Sequence, residues 1–438
     1  MKKTLFALLS LLLVAVMVLA LACLLVACGK TTETPPTTTE PYVPTHVSDY
    51  VSTGNFTKLE GMLKWEDINS FPIKRADMSL DEARTLCVDF FRFSKTALWI
   101  ADDDYQIFSS DGEVSRTVEK GKVYGGLPYV GVASGNVYRM MDYLDTKTGV
   151  MNVKALGENP MMFGNQCSIA AWWGWARVIN SAQYQWSYEP VVSKGFVKLG
   201  PHEYDPTLKR FTTTYGTDEC VKENGTSVMF ESYAELKKGD GVFYMTTAGH
   251  IVMIASDAVV VRNADNTINP IQSYVTVLDQ TGTWTEGVNN LGETYTYEAN
   301  VDARWSFMDL YNGNYMPFTF KEFTGEDPIE DTVITYSHTG DTITRDQLYA
   351  SQVDCNYSLA DAYASVYDSK GNEVVKVATR AHKANIKTLK FVTLSSEKSL
   401  FEWGSWDDLS KDETYTVKIY AQIGTGERPV LWEGKLAQ

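Results

Sequence analysis

Three residue types able to share one hydrolytic step stand far apart in this 438-residue chain: Cys167, His250 and Asp279. A thiolate attacks acyl carbon, an imidazole that titrates near neutrality takes the thiol proton, and a polar third group holds the imidazole tautomer. Cys167 lies in "MFGNQCSIAAWWGWARV", where Ile169 to Ile179 carry helical spacing with Ala170, Trp173, Ala176 and Val178 available for burial. Asn165 is suited to N-cap that helix, which puts Cys167 in its first turn. The positive helix end there favours thiolate, and free backbone N–H groups can face a developing oxyanion. The plainer role of Cys167 is a small buried residue at a helix start.

His250 lies in "AELKKGDGVFYMTTAGHIVMIAS", a turn, a short strand, a glycine-containing turn and a second strand that His250 leads. A histidine at that entrance is oriented by the sheet while its ring faces a cleft. His46, His202, His338 and His382 lack this setting. The third residue has two routes. A tight hairpin around Ser256 and Asp257 would set Asn263 opposite His250. One long bent strand returning as "SYVTVLDQT" would present Asp279, the favoured choice, with Gln280 beside it. Asn263 and Asp265 also fit ordinary turn chemistry. "NADNT" lacks the glycine and distal glutamate of a calcium loop.

"LKKGDGVFY…AGHIVMI" resembles the "L-x-x-GD-x-x-F…GHV-x-I" segment of the papain-like cell-wall amidases of the NlpC and CHAP families. "FGNQCSIAAWW" is similar to the "GQC-x-W-Y" helix start of CHAP domains, and "YGGLPYVGVASG" to the "G-x-PY-x-x-GG" segment that precedes the NlpC-type cysteine. The resemblance covers Gly121 to Thr281 in patches. It implies an α+β papain-like fold, hydrolysis of peptidoglycan amide bonds by Cys167 and His250, and a role for Asp279 like that of the acidic residue ending CHAP domains. It also implies an insertion between Tyr184 and Tyr233, a hairpin or lid over the cleft.

The elements that must position these residues follow an export signal. Met1, Lys2 and Lys3 precede an apolar run that ends in "LVAC" at Cys28. The stretch resembles a bacterial lipoprotein signal over residues 1–27, with Cys28 the lipidated residue of an outward-facing, membrane-anchored chain; an uncleaved membrane anchor is the alternative. Residues 28–45 form a Thr/Pro-rich tether without apolar periodicity. The formal charge of −16 argues against nucleic acid as a partner. The six cysteines form no CxxC pair or Cys/His cluster, so neither a structural metal nor any other cofactor is expected. Without Cys23 and Cys28, the remaining Cys87, Cys167, Cys220 and Cys355 do not make a disulfide framework. Cys87 sits in "SLDEARTLCVDFFRFSKTAL", a helix opened by a capping box of Ser79 and Glu82, and reads as core.

The catalytic region is expected over 46–323, closed by the linker-like "FTFKEFTGEDPIED". Residues 326–438 alternate strand and turn signals. Leu409 and Tyr415 in "LSKDETYTVKIYA" resemble the tyrosine corner of fibronectin-like sandwiches. A spacer is the expected role for this immunoglobulin/fibronectin-like domain. Two functions compete: a monomeric, lipid-anchored cysteine hydrolase that trims wall peptides, and a catalytically silent lipoprotein that binds wall peptides or a protein.

Overall fold

The capping box at Ser79 and Glu82 opens the first described helix, α1 (Leu80–Thr96), with the Glu82 N–H donating to Ser79 Oγ at 3.3 Å and the Ser79 N–H to Glu82 Oε2 at 2.8 Å. The computed structural model describes residues 77–108, 114–130, 135–145, 148–157, 164–181, 195–204, 211–212, 215–288, 294–381, 385–391 and 400–437. The expected signal and tether, with Cys28, lie outside these residues. Among the described residues no helix is long and apolar enough to cross a membrane.

α1 buries Ala83, Leu86, Cys87, Phe90 and Phe91, while Leu80 stays exposed. It packs on α2 (Cys167–Trp175), which in turn lies on strands β9 (Gly249–Ile254) and β10 (Tyr274–Val288). Every residue of α2 is buried, which explains its tryptophans: a helix apolar on all sides belongs in a core. Gly174 lets it fit there, because a Cβ at that position would stand 2.7 Å from Met253 Cε and 3.0 Å from Phe91 Cβ.

β9 and β10 belong to a ten-stranded sheet in the order β5-β6-β1-β4-β11-β10-β9-β8-β12-β7, with β5 (Leu144–Asp145) and β6 (Val150–Met151) at one edge. Its other strands that bear on the site are β1 (Leu98–Ala101), β4 (Val123–Gly125), β7 (Phe196–Lys198), β8 (Gly241–Met245), β11 (Thr294–Ser306) and β12 (Met316–Phe320). β8 and β9 form the hairpin expected around the glycine turn, with Tyr244 opposite His250. β9 returns to β10 through Val277↔Ile254 and Leu278↔Met253. The tight hairpin that would have put Asn263 beside His250 does not form. Asn263 instead closes a small exposed turn, its N–H donating to the Thr267 carbonyl at 2.8 Å.

The expected insertion contributes, in its described part, the edge strand β7 and a helix α3 (Thr217–Ala234), broken at Gly225, that packs on β8 and β12. These described parts form no hairpin lid; their apolar residues, Cys220 and Phe230 among them, join the main core.

The first core runs from Ala83 to Phe323 in sequence and takes in Ala360; a second gathers Ile343 to Ile423. The second lies between a three-stranded sheet and a six-stranded one, as a β-sandwich. Tyr415 is buried there and its hydroxyl accepts from the Ser410 N–H at 2.9 Å, a tyrosine-corner contact. The sandwich is more than strung on a linker. Arg139 and Asp361, both fully buried, pair across the junction at 3.1 Å, and Arg380 reaches Asp142 at 2.7 Å. Trp172 of α2 donates to Ser358 Oγ at 3.3 Å.

Candidate active site

Cys167 is the first residue of α2 and is 8% exposed. The N-cap is Gln166, whose side chain makes no capping bond, not Asn165 as the sequence suggested. Asn165 sits one residue too early and uses its side chain elsewhere: Oδ1 accepts from Lys95 Nζ at 3.1 Å, and Nδ2 donates to the Gly135 carbonyl at 3.3 Å. Cys167 is thus in the first helical turn with no side chain capping it. An N-terminus of this kind favours negative charge on a nearby group.

His250 is the second residue of β9 and is half-buried. Its Nε2 lies 2.6 Å from Asp279 Oδ1, an ion-pair contact; that buried oxygen takes no well-angled hydrogen bond from any donor. The second carboxylate oxygen accepts from Asn300 Nδ2 at 3.1 Å, Asn300 being the residue opposite Asp279 on β11. Burial by itself lowers the imidazole pKa. The Asp279 carboxylate, by charge and by hydrogen bond, and the hydrogen-bonded Cys167 thiol together raise it well above the usual histidine value. Since Nε2 belongs to Asp279, Nδ1 is the nitrogen available to the thiol. Asp279 on β10 and Cys167 at the start of α2 thus both act on the His250 ring, although the three residues lie on different elements.

The other candidates for the third position point away. Gln280 is fully buried; its Oε1 accepts from Lys95 Nζ and its Nε2 donates to the Leu127 carbonyl at 3.4 Å. Asn263 stays in its exposed turn. Gln280 also lies on the opposite face of β10 from Asp279, as strand alternation requires.

Around the pair, Tyr244 lies 6.0 Å from the His250 ring, Tyr315 packs edge-on to Tyr244 at 5.2 Å, and Trp305 follows at 5.3 Å. Burial, with Asp279 and Cys167 nearby, raises the Tyr315 pKa, so its phenol stays neutral. These rings form an aromatic wall on the His250 side. On the other side runs the "GGLPYV" segment, hydrogen-bonded in parallel to the chain before Cys167: the Asn165 N–H donates to the Pro128 carbonyl at 3.1 Å and the Val130 N–H to the Asn165 carbonyl at 3.1 Å. Gly126 explains that placement. It adopts φ +58°, and a Cβ there would stand 2.4 Å from the Ser94 carbonyl oxygen at the end of α1.

Sequence reasoning missed Asn300 and Lys95. Asn300 could be found only by knowing the β10–β11 register. Lys95 presents itself in sequence as a favourable cation in the last turn of α1. The four described cysteines Cys87, Cys167, Cys220 and Cys355 are free thiols. Among the described residues no group of three His, Cys, Asp or Glu side chains could hold a metal ion. Comparison of the chain with protein-family models, with curated proteins and with solved structures finds no match.

Proposed function

We propose that the chain is a cysteine hydrolase that opens amide bonds with Cys167 as nucleophile, His250 as base and acid, and Asp279 as the group that orients His250. The observation that carries this reading is the Asp279–His250 contact of 2.6 Å, which occupies Nε2 and leaves the other ring nitrogen for a thiol at a helix N-terminus. In the forward step Cys167 Sγ bonds to the amide carbon while its proton passes to His250. The tetrahedral intermediate's oxygen faces the first-turn N–H groups of α2. The C–N bond then breaks, and His250 returns the proton to the leaving amine. Water attacks the resulting thioester with His250 as base, releasing the acid and restoring the thiol. Asp279 stabilises the imidazolium as it forms.

The substrate we propose is the peptide part of peptidoglycan. Support comes from the resemblance of the Cys167 and His250 segments to the papain-like wall amidases, and from the lipoprotein-like start that would hold the chain outside the membrane through Cys28. The ring series of Tyr244, Tyr315 and Trp305 beside His250 gives an apolar surface suited to packing a peptide. Purified peptidoglycan is digested with the native protein and with Cys167→Ala, and the soluble products are weighed by mass spectrometry. The expected result is release of cleaved stem peptides by the native protein only. Equal release by Cys167→Ala removes the cysteine mechanism. Binding without cleavage by the native protein converts the reading to a wall-binding lipoprotein.

A further inference from the structure

Lys95 is 2% exposed at the end of α1, yet it meets no carboxylate within 4 Å among the described residues. Its Nζ donates to two neutral amides, Asn165 Oδ1 at 3.1 Å and Gln280 Oε1, and lies 5.7 Å from the centre of the Phe91 ring. Burying an ammonium without a direct counter-ion is costly. What distinguishes this place is what the two amides adjoin: Asn165 is two residues before Cys167, and Gln280 is the residue after Asp279.

We propose that Lys95 is a positioning residue of the Cys167–His250 site, tying the strand of Asp279 to the approach to α2 and setting with its charge the pH range in which the thiol reacts. This inference rests on the hydrolase reading above. Gln280 carries the tie onward to the Leu127 carbonyl, and Asn165 to Gly135, so one ammonium joins β10, the "GGLPYV" segment and the chain leading into Cys167.

The charged groups around Lys95 are few. Asp279 lies near it on β10, its side chain on the opposite face of the strand from Gln280. Glu298 faces it from β11, already satisfied by Arg116 and by the Tyr129 N–H. Beyond Asp279 stand His250 and Cys167. Burial draws the Lys95 pKa down to about 7, with Glu298 and Asp279 opposing that fall. While it keeps its proton, below about pH 7, Lys95 favours loss of a proton from the thiol and from the imidazolium alike. Removing the charge therefore moves both steps of the pair to higher pH. A purely structural role would lower stability or rate at all pH values without moving the midpoint.

The test is the rate of Cys167 alkylation by iodoacetamide across about pH 5 to about pH 9, followed by peptide mass spectrometry on the full chain. Lys95→Gln keeps N–H donors and loses the charge. Lys95→Arg keeps the charge. Gln280→Glu leaves Lys95 in place and gives it a counter-charge. The expected result is a midpoint about one pH unit higher in Lys95→Gln and Gln280→Glu, and near the native value in Lys95→Arg. An unmoved midpoint in a folded Lys95→Gln overturns the proposal; if that variant does not fold, an unmoved midpoint in Gln280→Glu does so. The native curve judges the hydrolase reading separately: if Cys167 titrates there as an ordinary thiol near about 8.5, that reading fails, whatever the variants do.

Discussion

Asp279 holds His250 by one oxygen and is itself held by the other: Oδ1 lies 2.6 Å from His250 Nε2, and Oδ2 accepts from Asn300 Nδ2 at 3.1 Å. Asn300 stands directly opposite on β11, so the carboxylate is braced by the neighbouring strand while it orients a ring on the strand to its other side. Each contact restricts the next. The ring can turn only by giving up its close ion-pair contact, and the carboxylate only by losing its brace.

Asp279→Asn should therefore keep the fold and lower kcat by roughly 10²–10⁴-fold, the range seen when an orienting carboxylate is neutralised in hydrolytic triads. Asn300→Ala should cost less, about tenfold, because the carboxylate remains. Asn263→Ala should leave turnover unchanged. Release of soluble peptide from peptidoglycan measures all three. A large loss in Asn263→Ala with none in Asp279→Asn would reverse the assignment.

Thiol reactivity separates an enzyme from a silent binder. Cys87 is fully buried, and burial pushes the Cys220 thiol up to about 11. Iodoacetamide at about pH 6 should accordingly label Cys167 ahead of Cys87, Cys220 and Cys355. His250→Ala should slow that labelling at least about tenfold, since the thiol then has no proton acceptor. Uniform slow labelling, indifferent to His250, would speak for binding without catalysis.

The parts of this site that were legible in the sequence are those with local causes. Cys167 in a first helical turn and His250 at a strand entrance both follow from short patterns of glycine, apolar spacing and turn residues. Asp279 required a choice between two pairings of the chain after His250, and the return strand decided it. Asn300 was hidden because β10 and β11 shift register at Val277/Leu278 and again between Gln280 and Thr285. Lys95 was hidden for another reason: a lysine in a last helical turn already has a good local explanation, and nothing local says that its side chain turns inward. Asn165 was misassigned by one residue, within the ordinary uncertainty of a helix end. The junction with the sandwich was illegible altogether, since Arg139 and Asp361 are 222 residues apart.

His202 gives a stability test far from the chemistry. It is 1% exposed, its Nδ1 lies 3.2 Å from Ser232 Oγ, and burial, with Lys198 nearby, lowers its pKa to about 4. The folded state thus holds it neutral, while the unfolded chain takes up a proton below about 6.5. The sign follows: this group's stabilising effect is whole above about pH 6.5 and is lost as pH falls toward about 4, amounting to roughly 3 kcal/mol. Urea unfolding at about pH 7 and about pH 4.5 should show His202→Gln losing less stability on acidification than the native chain. Parallel losses would mean that His202 does not titrate across this range.

The junction between the two cores predicts that the sandwich cannot be treated as a detachable spacer. Arg139 and Asp361 are fully buried and pair at 3.1 Å, and Arg139 also donates to the Ala360 carbonyl at 3.1 Å and to the Ala381 carbonyl. Removing Asp361 strands the Arg139 charge in a dry interface, a defect of about 3–5 kcal/mol. Removing Arg139 leaves Asp361 with Arg380 at 4.0 Å and the Tyr363 hydroxyl at 3.2 Å and should cost less. Asp361→Leu should therefore lower the unfolding midpoint strongly, and Arg139→Met by a smaller amount. The double variant Arg139→Met/Asp361→Leu should recover part of the loss, because it leaves no unpaired charge, though the Ala360 and Ala381 carbonyls still lack their donor. The same interface backs α2, where Trp172 donates to Ser358 Oγ, so Asp361→Leu should also slow Cys167 alkylation in the folded protein. Single variants as stable as the native chain, with unchanged alkylation, would show that the two cores stand independently and that the sandwich acts only as a spacer.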